Sequence, residues 1–142
     1  MGTTDTIDYV LEDQVGFLLR LASQRHAAIF QHHAVAGLTP TQFSTLVRIS
    51  EQTRVSQNHL GRLAAMDVAT IKGVVDRLKA KGLVQTHADP ADKRRMVISL
   101  TKAGANLIHD LKDAGHQISR ETLSPLSSED AKTLVRLLKK IS

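Results

Sequence analysis

One short run of strict alternation, Met96 to Thr101, interrupts a chain whose other apolar residues recur at steps of three and four. Met96, Ile98 and Leu100 alternate with Val97, Ser99 and Thr101, the period-two pattern of a half-buried strand. Leu83–Ala88 reads as its partner strand, and Asp89-Pro90-Ala91-Asp92-Lys93-Arg94-Arg95 as a charged, turn-rich tip between them. A single hairpin in an otherwise helical chain restricts the fold to a mainly α architecture with a small β unit.

The helical periods fall on both sides of that hairpin. Residues 8–35 are expected to form one long helix, with Leu11, Val15, Leu18, Ala22, Arg25 and Ile29 on a stripe and Gly37 closing it. Thr39-Pro40-Thr41-Gln42 has the form of a capping box, and opens a helix to about Gln52 with Phe43, Leu46, Val47 and Ile49 inward. Ser56 caps a short third helix bearing Leu60, Leu63 and Ala64. Asp67 caps a fourth, with Ile71, Val74, Val75 and Leu78 as its apolar face and Gly82 at its end. Thr101 starts a long helix with Ile108, Leu111, Gly115 and Ile118 on one side. Ser127 caps a last helix bearing Leu134, Leu137, Leu138 and Ile141.

Helix, short turn, helix and then hairpin is the order of a winged helix-turn-helix. The terminal helices carry more apolar surface than one chain can cover, and packing between two subunits would bury it. The expected layout is therefore one integrated domain: 1–37 an N-terminal dimerisation helix, 38–104 the winged helix-turn-helix, and 105–142 the C-terminal dimerisation helices.

Charge singles out the middle third. Between Arg54 and Gly104 stand ten Lys/Arg against four Asp, whereas the remainder holds nine basic against ten acidic residues. A basic block on a folded segment is the footprint of a polyphosphate partner, although a solvated basic surface has the same composition. The block lacks the Trp/Phe/Leu face of an interfacial membrane helix. No run approaches the length of a membrane span, the start MGTTDTIDYVLED is acidic rather than a basic export signal, and the expected location is the cytoplasm.

Catalysis finds little support. The chain has no cysteine, which removes thiolate chemistry and disulfides, and it has no Gly-rich phosphate loop or Ser nucleophile elbow. The seven histidines show no metal-ligand spacing, so neither a metal nor another cofactor is expected.

Residues 60–104 resemble the MarR family of bacterial transcription regulators, and the likeness runs from end to end of the chain. The matching features are Val75-Asp76-Arg77-Leu78 through Gly82-Leu83-Val84, Asp89-Pro90 with Asp92-Lys93-Arg94, and Leu100-Thr101 with Gly104. The resemblance implies a homodimeric repressor of double-stranded DNA, with a recognition helix in the major groove of a pseudo-palindromic operator and a wing at the minor groove.

In a helix-turn-helix, base edges meet the first residues of the recognition helix. Thr70 suits a base hydrogen bond or a thymine methyl, Lys72 a guanine, Gly73 a close backbone approach, and Arg77 a phosphate. Ser56 and Gln57 begin the third helix, where backbone N–H groups suit phosphate. The resemblance makes Arg94 the minor-groove arginine and Asp92 its brace, while Lys93 and Arg95 beside it suit the DNA backbone or only solvent. For each cation the plain alternative is a solvated helix face or loop.

The resemblance also implies a small aromatic effector near the first helix. Tyr9 through Arg20, followed by Gln24-Arg25-His26 and Ile29-Phe30, is similar to the subgroup that answers to hydroxycinnamoyl-CoA thioesters and controls aromatic acid catabolism. Phe17, Phe30 and Phe43 would wall the ring, while Arg20, Arg25, His26 and His33 would meet phosphates or a phenolic oxygen. The alternatives are a free aromatic acid, a DNA-binding architectural protein with no effector, or residues that serve only the core and the dimer.

Overall fold

Local capping chemistry sets most of the helix boundaries. In the computed structural model, which describes residues 8–142, helix α1 spans Val15–His32 and α2 spans Pro40–Gln52. Strand β1 (Arg54–Ser56) and helix α3 (Gln57–Leu63) follow, then α4 (Val68–Ala80), β2 (Val84–Ala88), β3 (Met96–Leu100), α5 (Lys102–Leu123) and α6 (Ser128–Ile141). Residues 1–7, assigned above to the start of the N-terminal segment, lie outside the described residues.

Thr39 closes the expected capping box: its hydroxyl accepts the Gln42 N–H at 3.2 Å, and Gln42 Oε1 accepts the Thr39 N–H at 3.1 Å. Ser56, Asp67, Thr101 and Ser127 each accept a backbone N–H from three residues on, so α3 to α6 start where their caps place them. Gly82, at φ +75°, takes the left-handed position that ends α4.

Three expectations need correction. Residues 8–35 are not one helix: a 3-10 turn, Leu11–Asp13, precedes α1, and extended Gln14 (φ −85°, ψ 134°) breaks the chain between them. The helix also stops at His32, because Ala34 is left-handed at φ 46° and cannot continue it. Second, the sheet has three strands in the order β1-β3-β2, both pairings antiparallel, rather than a bare hairpin. Third, β3 is not half-buried in simple alternation: Met96 is 47% exposed, while neighbours Val97 and Ile98 are 7% and 0% exposed. As the central strand, contacted by α2, α3 and α5, β3 has cover on both faces at Val97 and Ile98.

The core collects Leu46 and Ile49 of α2, Leu60 of α3, Ile71, Val75 and Leu78 of α4, Ile98 of β3, and Leu111 and Ile118 of α5. It seats α4 with one face buried and the other open. Val15, Leu18, Leu19, Leu134, Leu137, Leu138 and Ile141 remain exposed on α1 and α6 and line a common apolar groove of about 420 Å³. No helix among the described residues is long and apolar enough to cross a membrane.

Candidate nucleic-acid interface and ligand cleft

The open face of α4 starts at a fixed anion. Asp67 Oδ1 accepts the Thr70 N–H at 2.7 Å, and this bond, with a second from the Thr70 side chain, holds the carboxyl below its ordinary pKa. Thr70, Lys72 and Arg77 are exposed and Gly73 is half-buried. Lys72 Nζ donates to Asp76 Oδ2 at 2.9 Å, one turn along the same face. Gly73 has no side chain, and the Arg77 guanidinium folds over it: a Cβ there would lie 3.3 Å from Arg77 Nη1. Ile71, Val74, Val75 and Leu78 pack inward, so the register of α4 fixes which side chains it presents.

The hairpin tip is internally tied. Asp92 Oδ1 accepts both the Arg94 N–H (3.1 Å) and Arg94 Nε (3.4 Å), while the Asp92 carbonyl accepts the Arg95 N–H at 2.9 Å. The Arg94 side chain is still 93% exposed, braced near its root and free at its end. Lys93 and Arg95 are exposed beside it. Ser56 and Gln57 at the start of α3 line one groove, about 360 Å³, with Asp92, Arg94 and Arg95. The Ser56 hydroxyl is also the α3 cap, accepting the His59 N–H at 3.2 Å.

A second site lies where α1, α2 and α5 meet, a cleft of about 450 Å³. His26 and Phe30 come from α1, Pro40, Phe43, Ser44 and Val47 from α2, and Lys112, Gly115, His116, Ile118 and Ser119 from α5. Phe30 and Phe43 meet edge to face, with centroids 5.6 Å apart and planes at 88°. Gly115 lets Phe43 seat against α5, since a Cβ there would come within 3.1 Å of Phe43 Cζ.

Of the seven residues that sequence reasoning named for an effector, the structure brings His26, Phe30 and Phe43 to this cleft. The other four are engaged elsewhere. Arg25 donates to the carbonyls of Glu121 and Thr122 in the last turn of α5, the first of which also accepts from Ser124. His33 Nε2 pairs with Glu121 Oε1 at 2.8 Å. Arg20 lies 5.5 Å over the Phe17 ring, and neither residue lines the cleft. His26 faces both ways, with Nδ1 2.9 Å from Thr122 Oγ1.

Sequence reasoning missed Lys112, His116 and Ser119. Their spacing of four and three puts them on one face of α5, each a single position past the inward stripe of Leu111, Gly115 and Ile118. That offset was the available signal. Among the described residues no group of three His, Cys, Asp or Glu is placed to hold a metal ion.

A family model described as MarR family matches residues 36–95. Over 96% of its length, the chain is 41% identical to the HTH-type transcriptional repressor NicR of Pseudomonas putida, covering 87% of that protein. The chain belongs to the MarR family. A probable transcriptional regulator from Pseudomonas aeruginosa shares the fold with TM-score 0.91 and 49% identity, over 94% of this chain and 100% of that one. A structure of BpsR from Bordetella bronchiseptica, on the regulation of its DNA binding by 6-hydroxynicotinic acid, matches with TM-score 0.88 and 37% identity, covering 94% and 96%. Two more distant MarR-fold structures carry partners. One is an Escherichia coli MarR mutant complexed with operator DNA (TM-score 0.81, 26% identity, 89% of this chain and 92% of that one). The other is CouR from Rhodococcus jostii bound to p-coumaroyl-CoA (TM-score 0.79, 27% identity, 94% and 95%). The named relatives are transcription regulators, not enzymes, and this chain is a MarR-type regulator within a family that includes a repressor and ligand-binding members.

Proposed function

We propose that the chain is an effector-released repressor that binds a pseudo-palindromic operator as a homodimer, in bacterial control of aromatic acid catabolism. One observation carries the DNA-reading half. The open face of α4 and the braced Arg94 both belong to the basic segment 54–104, and the start of α3 shares a groove with Arg94. Lys72 exchanges Asp76 for a base edge, and Thr70, its hydroxyl turned to Asp67, offers a methyl to thymine. Arg77 reaches phosphate across Gly73, which lets the helix backbone lie close to the duplex. Arg94 enters the minor groove, where a narrow A·T-rich tract concentrates negative potential. Lys93, Arg95 and the α3 start at Ser56 and Gln57 hold the sugar-phosphate backbone.

The exposed apolar faces of α1 and α6 meet their counterparts in a second copy, giving residues 1–37 and 105–142 the dimerising role and 38–104 the reading role.

The cleft takes a single-ring aromatic carboxylate of the hydroxynicotinate type. Phe30 and Phe43 supply apolar walls, Lys112 a cation for the carboxylate, and His26, His116, Ser44 and Ser119 polar partners for ring substituents. The similarity to BpsR supports that class. A hydroxycinnamoyl-CoA thioester is the second reading, favoured by the likeness to CouR. It has less support in the side chains, because Arg25 and His33 are bonded to α5 and Arg20 rests on Phe17.

Release follows from where the cleft sits. Its α5 wall, Lys112 to Ser119, belongs to a helix that starts at the Thr101 cap beside the sheet and runs to the turn before α6, so a ligand that alters the α1–α5 contact alters the spacing of the two reading heads. The ligand must prefer the misspaced dimer, since equal affinity for both states shifts nothing. Calorimetry and operator mobility shifts with 6-hydroxynicotinate, p-coumarate, p-coumaroyl-CoA and CoA alone test this reading. The expected result is binding and release by the small acid, lost in Lys112→Ala. Release by the thioester alone would replace the acid with the second reading. Operator binding indifferent to all four would remove the effector claim.

A further inference from the structure

A second cavity, about 560 Å³, lies against the ligand cleft, and the two share Phe30 and Pro40 in their walls. Phe30 is 6% exposed and held edge to face against Phe43, so its ring stands as a partition between the two spaces. The cavities differ in charge. Lys112, His26 and His116 all line the first. The second is walled by Ala27, Val35 and Leu38, with the neutral Gln31 and Thr39 as its polar side chains. A carboxylate therefore belongs on the Lys112 side, and only a neutral group would gain by crossing to the other.

We propose that Phe30 is the length-determining residue of the effector site, closing a neutral accessory pocket that would otherwise admit the far end of a longer aryl acid. The proposal rests on the effector reading above and deepens it. With Phe30 in place, a single-ring acid anchored at Lys112 extends no farther than the phenyl edge. A two-ring acid anchored at Lys112 must displace that ring and break its contact with Phe43. Shortening residue 30 joins the spaces end to end, with the cations at one end and the neutral walls at the other.

Calorimetry of the full-length protein with 6-hydroxynicotinate and a biphenyl carboxylate provides the test. Wild type is expected to bind the single-ring acid and discriminate against the biaryl. Phe30→Ala is expected to bind the biaryl roughly tenfold more tightly than wild type, and the single-ring acid more weakly. Phe30→Leu, which keeps most of the core volume, shifts both in the same directions by less, and its thermal unfolding checks the fold. Phe43→Ala lowers single-ring affinity without admitting the biaryl, because Phe43 does not line the second cavity. Parallel loss of both acids in the Phe30 variants, or equal binding of both by wild type, overturns the partition alone. Binding of neither acid by any of the proteins overturns the effector reading and the partition with it.

Discussion

Gly104 stands so close to Leu83 that a Cβ built on its backbone would lie 2.1 Å from the Leu83 carbonyl oxygen. That carbonyl already accepts the Thr101 N–H at 3.1 Å, and the Thr101 hydroxyl donates to the neighbouring Gly82 carbonyl at 2.6 Å. The start of α5 is thus pressed onto the exit of α4 through backbone atoms. Gly104→Ala forces those atoms apart and is expected to cost near the upper end of the roughly 1–3 kcal/mol seen on overpacking. Urea unfolding measures it, and a change within about 0.5 kcal/mol of wild type would contradict the close approach.

Arg94→Ala and Lys72→Ala should fail in different ways. Removing the wing arginine should weaken operator binding and reduce the slope of log affinity against log salt by about one, with unfolding unchanged. Removing Lys72 should also flatten base preference at one position in each half-site, by about 1–3 kcal/mol. Fluorescence anisotropy across a salt series, with wild-type and single-base-variant operators, separates the two. An unaltered slope in Arg94→Ala would remove it from the interface.

Leu134 and Leu138 lie on the exposed face of α6, along the groove shared with Val15, Leu18 and Leu19 of α1. Replacing both leucines with Asp should convert a dimer to a monomer and abolish operator binding, because two half-sites then have no common holder. Sedimentation equilibrium reports the mass. A double variant that stays dimeric would place the interface elsewhere.

Asp67 links α4 to pH. Its folded-state pKa is lowered, chiefly by the Thr70 N–H, so the bond contributes stability above the unfolded-state pKa and loses it as pH falls through the depressed folded value. Asp67→Asn keeps a capping side chain but removes that titration. The stability advantage of wild type over Asp67→Asn should therefore be full near neutrality and shrink on the acid limb. A constant difference across that range would mean that the charge contributes nothing.

What the sequence disclosed and what it hid divide along range. Thr39, Ser56, Asp67, Thr101 and Ser127 announce their helices because a cap is satisfied within three residues. The break at Gln14 and the stop after His32 carry no Gly or Pro signal, and the stripe spaced at three and four runs straight through the first and ends at Ile29, short of the second. Strand β1 is three residues long, too short for alternation to register. The cleft needs residues from α1, α2 and α5 at once, so aromatic content located Phe30 and Phe43 but not Lys112 or His116. Arg25 illustrates the limit: its partners are two main-chain carbonyls nearly a hundred residues away, and carbonyls leave no trace in residue type.

Strand β3 is gripped from both edges, by β1 through Arg54↔Ser99 to Ser56↔Val97 and by β2 through Val84↔Leu100 to Ala88↔Met96. The wing is therefore a cantilever with a clamped root, and Arg94 projects just past the last clamp. Because β1 leads directly into α3, the root and the helix-turn-helix turn as one piece, and the offset between wing tip and α4 is a built-in gauge length. Bending within that piece would break ladder bonds, whereas the stretch from Ser124 to Ser127 joins α5 to α6 without strand or helix. In the proposed effector-released dimer, any mechanical freedom by which a bound molecule loosens the grip on DNA then lies in how two gauges are set relative to each other, and not in the span of either one.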